Sequence, residues 1–245
     1  MPIYRDRIAK GPLVRNRLLE AFFIRTTIST VTTTGRFRHL RLHAPQLTGI
    51  SWTPGQQIRV DCGPATARTP LLRTYSVWDH DQDWIELYCL IHGNSPGSAW
   101  ASQAAPGLHA LITRPKGNFI TSPAACHLFA GDETAAAAFG PMIRALPAEV
   151  PVRALIETAS PADQLPLTRD ATWITRPPGA APADQSGLLA AITTLQLDGP
   201  PGAAYLAGEA RTIQALRTEL VTRHGWPRRA IRTKPFWTPG KRGLE

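Results

Sequence analysis

The stretch that decides the fold spans residues 72–101 and reads LRTYSVWDHDQDWIELYCLIHGNSPGSAWA. It begins with Arg73-Thr74-Tyr75-Ser76, in a segment whose residue types favour an extended β conformation. It ends with Gly97-Ser98, a turn that leads directly into a helix bearing tryptophan and alanine. A strand with a cation and an aromatic ring and the start of a helix therefore lie within one short part of the chain.

The residue types in these two groups fit the recognition of a dinucleotide. An arginine guanidinium binds phosphate through two hydrogen bonds, and tyrosine offers a flat apolar face with a polar tip. A serine hydroxyl can hydrogen-bond a heterocycle nitrogen, and a helix N-terminus attracts a second phosphate. Together they indicate a dinucleotide with a planar ring at one end, for which a flavin is well suited. The alternative is a charged strand followed by an ordinary capped helix.

Length and composition favour two domains of ordinary size. The chain has 245 residues, of which 43% are hydrophobic, and this supports packed cores. No apolar run approaches the length needed to cross a bilayer, so we expect no membrane insertion. The basic start, MPIYRDRIAKGPLVRNRLLEAFF, has no apolar segment that ends in a small-residue cleavage site. We therefore expect a cytoplasmic protein.

The cysteines argue against several kinds of redox site. Cys62, Cys89 and Cys126 are odd in number and far apart, which fits neither a disulfide framework nor a zinc or iron–sulfur site. We expect each to be a small buried hydrophobic residue, and we expect no bound metal. An electron carrier in this protein would then be held non-covalently by other residues.

The formal net charge of +9 indicates either a solvated basic surface or an anionic partner. A field of this sign concentrates anions near the protein. No zinc-finger spacing or RNP-like aromatic run accompanies the charge, so nucleic acid is not the expected partner. An anionic small substrate or cofactor stays open beside the solvated surface.

The first half of the sequence predicts antiparallel β structure. Short segments rich in β-branched and aromatic residues are separated by glycine and proline. The predicted strands cover residues 25–31, 36–43, 57–62, 72–77, 84–91 and 110–113, with one helix over about 98–103. Several short strands at this spacing indicate a barrel or a sandwich.

Beyond about residue 114 short apolar strands alternate with helices. The predicted strands cover 127–130, 152–157, 172–175, 204–207 and 230–233, and the predicted helices cover 134–146, 186–194 and 209–224. This alternation predicts a doubly wound parallel sheet, whose ligands bind at the carboxyl ends of the strands. The turns of interest are therefore Gly131-Asp132-Glu133-Thr134 and Gly208-Glu209. We predict two domains, residues 1–120 and 121–245.

Five sequence blocks, in this order, resemble the siderophore-interacting proteins, a branch of the ferredoxin-reductase-like flavoproteins that reduces ferric siderophores. The blocks are Arg73-Thr74-Tyr75-Ser76-Val77; Ile91-His92-Gly93 with Gly97-Ser98-Ala99-Trp100-Ala101; Gly131-Asp132-Glu133-Thr134-Ala135; Ala207-Gly208-Glu209-Ala210; and Phe236-Trp237-Thr238-Pro239-Gly240. The resemblance extends over residues 17–240. It implies a six-stranded antiparallel Greek-key β-barrel that binds FAD, followed by a doubly wound parallel α/β sheet that binds NAD(P)H.

The resemblance also implies roles for residues of the first domain. Arg73 would grip the FAD diphosphate, Tyr75 would lie along the isoalloxazine, and Ser76 would approach its N5 atom. The rest of the implied FAD set is Val77, His92, Gly93, Gly97, Ser98 and Ala99, with His92 and Gly93 on the adenine side and the Gly97-Ser98 amides at the pyrophosphate. The alternative for His92 is that it only caps a turn.

In the second domain the resemblance implies three cofactor contacts. Thr134 opens the helix expected to meet the nicotinamide dinucleotide, and Glu209 and Trp237 would lie near the nicotinamide and the flavin. The alternative for Trp237 is C-terminal packing. The implied catalytic set is Ser76, Tyr75 and Glu209.

The residues themselves support the flavin site better than the dinucleotide site. The turn after the first predicted strand of the second domain, Gly131-Asp132-Glu133-Thr134, is not part of a Gly-x-Gly-x-x-Gly motif. The carboxylates of Asp132 and Glu133 would also repel a neighbouring phosphate. Arg153 or Arg176 could receive the 2′-phosphate of NADPH, which leaves the choice between NADH and NADPH open.

The resemblance implies an oxidoreductase that passes hydride from NAD(P)H to FAD and single electrons to chelated Fe(III). Iron is then released, because hard oxygen donors hold Fe(II) far less tightly than Fe(III). Lys241 and Arg242 are the first candidates to dock the anionic ferric siderophore near the flavin edge. The alternatives are a flavoprotein reductase with another electron acceptor, ferredoxin as the electron donor, and a ferric-siderophore-binding protein without turnover.

Overall fold

The computed structural model describes residues 22–64, 67, 69–181, 183–184, 186–196 and 202–241. The chain divides into two units, with the boundary between Asn118 and Phe119. None of the helices in these ranges is both long and apolar enough to span a membrane.

The first unit contains a closed barrel of antiparallel strands. The strands are β1 (Ile24–Thr34), β2 (Phe37–His43), β3 (Gln57–Asp61), β4 (Leu72–Asp81), β5 (Trp84–Leu90) and β6 (His109–Ile112). Their order around the barrel is β1-β2-β5-β4-β3-β6. The predicted six-stranded antiparallel barrel is therefore confirmed.

Alternating side chains fill the barrel. In β1, Ile24 and Ile28 are buried and Arg25 is exposed, and the pairing register with β2 shifts beyond Ile28. The interior is packed with aliphatic residues from every strand, including Leu40, Leu42, Ile58, Val60, Val77, Ile85, Leu87 and Ile112. Burial of these side chains is the main source of stability for this unit. Cys62 and Cys89 belong to the same core, whereas Cys126, in the second unit, is only half-buried, contrary to expectation.

Helix α1 (Pro96–Gln103) begins two residues earlier than the sequence predicts. Pro96 occupies the first turn, where its missing N–H is no loss, and the Ser95 hydroxyl accepts a hydrogen bond from the Ser98 amide at 3.1 Å. Trp100 and Ala101 are buried against the barrel core. The cap and the apolar face together fix the start of α1 beside the barrel.

The second unit contains a parallel sheet. Its strands are β7 (His127–Asp132), β8 (Val152–Thr158), β9 (Thr172–Thr175), β10 (Ala203–Glu209) and β11 (Ile231–Trp237), and its helices are α2 (Glu133–Arg144), α3 (Ser186–Thr193) and α4 (Ala210–Thr222). The strand order is β11-β10-β7-β8-β9, and each neighbouring pair is parallel. Short 3-10 turns cover Pro161–Asp163 and Arg228–Ala230 in this unit, and Pro45–Leu47 in the first unit.

Helices cover both faces of this sheet, as the doubly wound prediction requires. On one face Phe129 of β7 packs against Phe139 of α2, with ring centroids 5.3 Å apart. On the other face Leu188 of α3 and Ile213 of α4 share a core with strand residues such as Leu206. Because both faces are covered, β7 and β10 are buried along their whole length, which is typical of central parallel strands.

Strand β11 extends four residues beyond the predicted end at residue 233 and carries Trp237 to the edge of the sheet. The extension was missed because it contains Pro235, which lacks an N–H for the ladder. An edge strand tolerates proline, since one of its sides has no strand partner. The register pairs Gly208 with Pro235 and Glu209 with Trp237.

The carboxyl ends of β7 and β10 form the crevice of this sheet. The two strands are neighbours, but the chain leaves β7 toward β8 and leaves β10 toward β11, on the opposite side. In doubly wound sheets ligands bind at such a switch point. A Cβ on Gly131 would collide with the carbonyl oxygen of Ala207, so only glycine lets the two strands pair this closely.

Candidate functional sites

The first unit brings Arg73, Tyr75 and the start of α1 together. In the register of β3 and β4, Arg73 pairs with Val60 and Tyr75 pairs with Ile58, two buried core residues, so both side chains lie on the inner face of β4. A Cβ on Gly97 would lie 2.6 Å from the Tyr75 hydroxyl oxygen and 3.4 Å from Cγ of Arg73. Glycine is thus required where the helix start meets these side chains.

The Tyr75 hydroxyl is held in its protonated form. Burial raises the pKa of Tyr75 well above its ordinary value, and the neighbouring thiols of Cys89 and Cys62 raise it further. The centroid of the Tyr75 ring lies 5.8 Å from the centroid of the Trp100 ring in α1. A protonated phenol can donate a hydrogen bond to an anionic oxygen, which is the polarity that a phosphate ligand needs.

Arg73 keeps its positive charge available. Its Nη1 atom donates to the carbonyl oxygen of Leu72 at 2.6 Å. Among the described residues no carboxylate pairs with Arg73, and its side chain is half-buried. A partly desolvated guanidinium without an internal counter-ion is a suitable ligand for phosphate.

Ser76 and Val77 follow on the same strand. Ser76 is 6% exposed and pairs with Gln57 of β3. Val77 is fully buried in the barrel core, and its amide donates to the carbonyl of Gln56 at 3.1 Å. The Val77 side chain thus packs the barrel, and contact of either residue with a cofactor stays a prediction.

The turn before α1 is fixed by Ser98. Its hydroxyl accepts from the amide of His92 at 3.0 Å and donates to the carbonyl of the same residue at 2.8 Å. Gly93 has a φ of +51°, while the His92 and Ala99 side chains are exposed. The Ser98 amide, predicted to bind a pyrophosphate, already donates to Ser95, so it would have to exchange this cap for the ligand.

In the second unit Asp132 connects the ends of three strands. Its Oδ1 atom accepts from the amide of Thr134 at 2.9 Å and from the Thr134 hydroxyl. Its Oδ2 atom accepts from the amide of Glu209 and from Nε1 of Trp237, both at 2.8 Å. Thr134, Glu209 and Trp237, which the sequence singled out separately, therefore meet at one carboxylate.

Burial controls the charge of Asp132. The side chain is 3% exposed, and this burial raises the pKa of Asp132 above its ordinary value. Hydrogen bonds from Thr134, Trp237 and Glu209 act in the opposite direction, while the neighbouring charge of Glu133 adds to the increase. Four donors converge on two oxygens, so this carboxylate is a structural hub whose bonding is complete.

Arg176 lies between two buried carboxylates. Its Nη1 atom is 2.8 Å from Oε2 of Glu133 and 3.3 Å from Oε2 of Glu157, and its Nη2 atom bonds Oε1 of Glu133. Burial alone would lower the pKa of Arg176, but the two carboxylates raise it above its ordinary value. Burial raises the pKa of Glu157, and the Arg176 charge counteracts this increase.

Glu209 caps helix α4 and keeps one buried acceptor. Its Oε2 atom accepts from the amide of Thr212 at 2.7 Å and from the Thr212 hydroxyl at 3.0 Å. Its Oε1 atom is buried, and no donor among the described residues reaches it. The residue is 1% exposed. A buried carboxylate oxygen without a donor is costly, so this atom is a candidate acceptor for a hydrogen bond from a bound group.

The remaining predicted positions lie outside these two sites. Lys241 is exposed at the end of the described chain, and Arg242 lies outside the described residues. Sequence reasoning missed Glu157 and the bonding role of Asp132. A usable signal existed, because each carboxylate directly ends an apolar strand, where parallel sheets place their ligands.

Comparison with known proteins agrees with this arrangement in both units. A model of the siderophore-interacting FAD-binding domain matches residues 22–119, and a model of the siderophore-interacting protein family matches residues 124–240. An uncharacterised protein of Mycobacterium tuberculosis is 32% identical over 162 residues, which cover 60% of this chain and 57% of the length of that relative. The ferric vibriobactin reductase ViuB of Vibrio cholerae is 25% identical over 83% of this chain and 77% of its own length.

Solved structures share the fold. A siderophore utilization protein from T. fusca superposes with a TM-score of 0.78 at 22% identity, covering 91% of this chain and 95% of that one. Phthalate dioxygenase reductase superposes with a TM-score of 0.69 at 14% identity, covering 91% of this chain and 70% of that one. The barrel followed by the parallel sheet is therefore a fold that this chain shares with both proteins.

Proposed function

The chain belongs to the siderophore-interacting protein family, and we propose that it is an FAD-dependent reductase that uses NAD(P)H to reduce the iron of a ferric siderophore. The observation that carries the proposal is the convergence of Arg73, Tyr75 and Gly97 at one end of the barrel. The proposal places the reaction in the cytoplasm, where reduced nicotinamide dinucleotides are produced.

The residues of the first unit fit FAD. Arg73 supplies a cation that no carboxylate among the described residues neutralises, the protonated Tyr75 supplies a donor and a ring, and α1 supplies the N-terminus of a helix. Gly97 lets the Tyr75 hydroxyl and the Arg73 side chain lie close to the helix start. In this proposal Ser76, next to Tyr75 on β4, hydrogen-bonds the flavin ring.

The carboxyl edge of the second sheet would hold the nicotinamide dinucleotide. Asp132 fixes the positions of Thr134, Glu209 and Trp237, and Glu209 offers its buried Oε1 atom to a donor on the nucleotide. The proposed catalytic role of Glu209 is therefore to orient the nucleotide by accepting a hydrogen bond.

When bound, FAD would take up hydride and give out its two electrons singly, so one NAD(P)H reduces two Fe(III) to two Fe(II) and one proton is released. The siderophore is the substrate, and it loses its iron because hard oxygen donors hold Fe(II) weakly. The protein must only bind and position the reactants.

Anaerobic mixing of the purified flavoprotein with NADH or NADPH tests the proposal. Bleaching of the yellow flavin colour, followed by its return and by Fe(II) formation when a ferric chelate is added, is the expected result. A protein that retains FAD but is bleached by neither nucleotide contradicts NAD(P)H as the donor and favours ferredoxin. Bleaching without Fe(II) formation contradicts the ferric siderophore as the acceptor.

The substrate-docking part of the proposal concerns Lys241 and Arg242. If basic residues attract the chelate, the rate of flavin re-oxidation by a tri-anionic ferric chelate falls as salt shortens the screening length from about 10 Å at 0.1 M to about 3 Å at 1 M. A neutral ferric chelate serves as the control and should respond less. Equal salt dependence for both chelates contradicts a basic docking site. Persistence of the difference after replacing both residues by alanine places that site elsewhere.

A further inference from the structure

The sequence offers Arg153 and Arg176 as ligands for the 2′-phosphate of NADPH. Arg153 is excluded because it lies at the wrong end of its strand. In the register of β7 and β8, Arg153 pairs with Leu128 near the amino end, whereas Glu157 pairs with Asp132 at the carboxyl end. Glu157 follows Arg153 by four positions, which is about 13 Å along an extended strand. Arg153 thus lies away from the edge where a doubly wound sheet binds nucleotides.

Arg176 lies at the correct edge but is already neutralised. Its guanidinium bonds Glu133 and Glu157, and all three side chains are at most 6% exposed. Binding a phosphate would require Arg176 to leave both carboxylates buried and unpaired. Loss of one partner from a buried ion pair costs about 3–5 kcal/mol, so this exchange is unfavourable.

Glu157 lies near the end of the strand that carries the ribose-reading residue in doubly wound folds with a glycine-rich first turn. It lies at the end of β8, the strand that follows β7 and pairs with it. In such folds an acidic residue about 20 residues after the first strand–helix turn favours a free ribose 2′-hydroxyl, and a basic residue there accepts a 2′-phosphate. The buried cluster contains two carboxylates and one guanidinium, so one negative charge is left uncompensated and acts on a nearby phosphate without contact.

The rest of the edge also offers acceptors rather than donors. The helix starts that would attract phosphate are capped by the chain's own carboxylates, Asp132 at α2 and Glu209 at α4. The Oε1 atom of Glu209, which no donor from the described part of the chain reaches, can accept from a donor such as a hydroxyl or a carboxamide N–H. A ligand that presents hydroxyl groups fits this surface better than one with an additional dianion.

We propose that this edge selects NADH over NADPH, because Glu157 repels a 2′-phosphate while Glu133 and Glu157 together hold Arg176 out of reach. The inference rests on the proposed function, since it names the nucleotide that donates the hydride. Arg211, exposed in the first turn of α4, is a cation near this edge, but it follows β10 and not β8.

The test is calorimetric titration of the FAD-loaded protein at pH 8 with ADP-ribose and with 2′-phospho-ADP-ribose, neither of which can donate hydride. We expect ADP-ribose to bind at least about tenfold more tightly, since the second ligand adds nearly two negative charges. Stopped-flow reduction of the flavin should show the same preference for NADH over NADPH.

The diagnostic variant is Glu157→Gln, which keeps the shape and an acceptor for Arg176 but removes one charge. It should reduce the preference for the unphosphorylated ligand about three- to tenfold, whereas the exposed control Glu149→Gln, with the same change of charge, should leave it unchanged. An equal response of the two variants overturns the role of Glu157. A wild-type preference for the 2′-phosphorylated ligand, lost in Arg211→Ala, overturns the inference but leaves the proposed function intact. Failure of both ligands to bind, with no flavin reduction by either nucleotide, overturns both.

Discussion

The Arg73 site of the barrel and the Asp132 site of the parallel sheet differ in the charge that they leave available to a ligand. At the barrel, Arg73 bonds a backbone carbonyl, no carboxylate of the described residues pairs with it, and Tyr75 stays protonated, so the site presents donors. At the sheet edge, the guanidinium of Arg176 is bonded to two carboxylates, and Asp132 receives four hydrogen bonds from the protein itself. The barrel site can therefore bind a phosphate ligand. At the sheet edge the only buried cation among the described residues, Arg176, is already paired with carboxylates.

This difference shows what a net charge can and cannot indicate. The chain carries +9, yet four carboxyl groups and one guanidinium are buried at the edge of the second sheet. The sign of the local field therefore opposes that of the whole molecule at one of its two sites. Nucleotide selection depends on the local arrangement, whereas attraction of anions from solution depends on the whole surface.

Asp132→Asn should produce the largest effect, because it attacks the centre of the sheet-edge site. An asparagine keeps one acceptor oxygen and replaces the other by an NH2 group, so either the Thr134 amide or the Glu209 amide and Trp237 Nε1 lose their acceptor. We expect a loss of about 3 kcal/mol or more in the free energy of unfolding, measured by urea denaturation. Trp237 fluorescence should shift, since its indole loses a charged partner.

Asp170→Asn provides the matched control, because Asp170 is exposed and undergoes the same chemical change. Its stability should stay within about 0.5 kcal/mol of wild type. An Asp132→Asn protein as stable as this control, with unchanged tryptophan emission, would show that the four hydrogen bonds do not organise the edge.

Arg73→Ala tests the donor-rich side of the comparison. It removes a charge-assisted contact worth about 1.5–3 kcal/mol, or on the order of ten- to a hundredfold in FAD affinity. Flavin retention after gel filtration and the dissociation constant of the FAD complex measure the effect. The exposed Arg25, on β1, gives the control variant Arg25→Ala. If both variants retain flavin equally well, Arg73 does not hold the diphosphate.

Much of the fold follows from local patterns in the sequence. Alternation of buried and exposed residues marks the barrel strands, and apolar runs followed by amphipathic helices mark the parallel sheet. The bounds fail where one residue opposes the pattern. Pro235 led to a predicted end of β11 that is too early, although an edge strand tolerates proline. Pro96 led to a predicted start of α1 that is too late, although the first turn of a helix also tolerates proline.

The sites were only partly predictable for a different reason. Arg73, Tyr75 and Gly97-Ser98 lie within one stretch of chain, so their combination is visible before folding. By contrast, Arg176 is 43 residues from Glu133 and 19 from Glu157 along the chain, so only the sheet topology pairs them. An arginine considered as a phosphate ligand in the sequence is therefore an internal counter-ion in the fold.

Gly97→Ala tests the close approach between α1 and Tyr75. The new Cβ would lie 2.6 Å from the Tyr75 hydroxyl but 3.7 Å from its Cζ atom, so the clash involves the hydroxyl alone. We expect a loss of about 1–3 kcal/mol in stability, measured by urea denaturation, and weaker FAD binding. Adding Tyr75→Phe should restore most of the stability but not the FAD affinity. A double variant no more stable than Gly97→Ala would place the strain elsewhere.

The smallest expected effect concerns His127, which lies at the opposite end of strand β7 from Asp132. Asp132 lies at the carboxyl end, and His127 lies buried at the amino end, with its ring stacked on Tyr205 at 5.9 Å. Burial lowers the pKa of His127, and the nearby Arg169 lowers it further, so folding favours the neutral ring. The stability contributed in this way is present above the unfolded pKa of about 6.5 and is lost as pH falls toward the lowered folded pKa.

His127→Phe should keep the aromatic stack and remove this pH dependence. Between about pH 7.5 and pH 5.5, urea denaturation should show wild type losing about 1 kcal/mol more stability than the variant. The control variant His109→Phe makes the same replacement at a half-buried histidine of β6. The raised pKa values of Asp132 and Glu157 act with the opposite sign, because protonation relieves their burial, so they stabilise the fold as pH falls toward 4. A His127→Phe protein with the wild-type slope would show that His127 does not carry the acid sensitivity assigned to it.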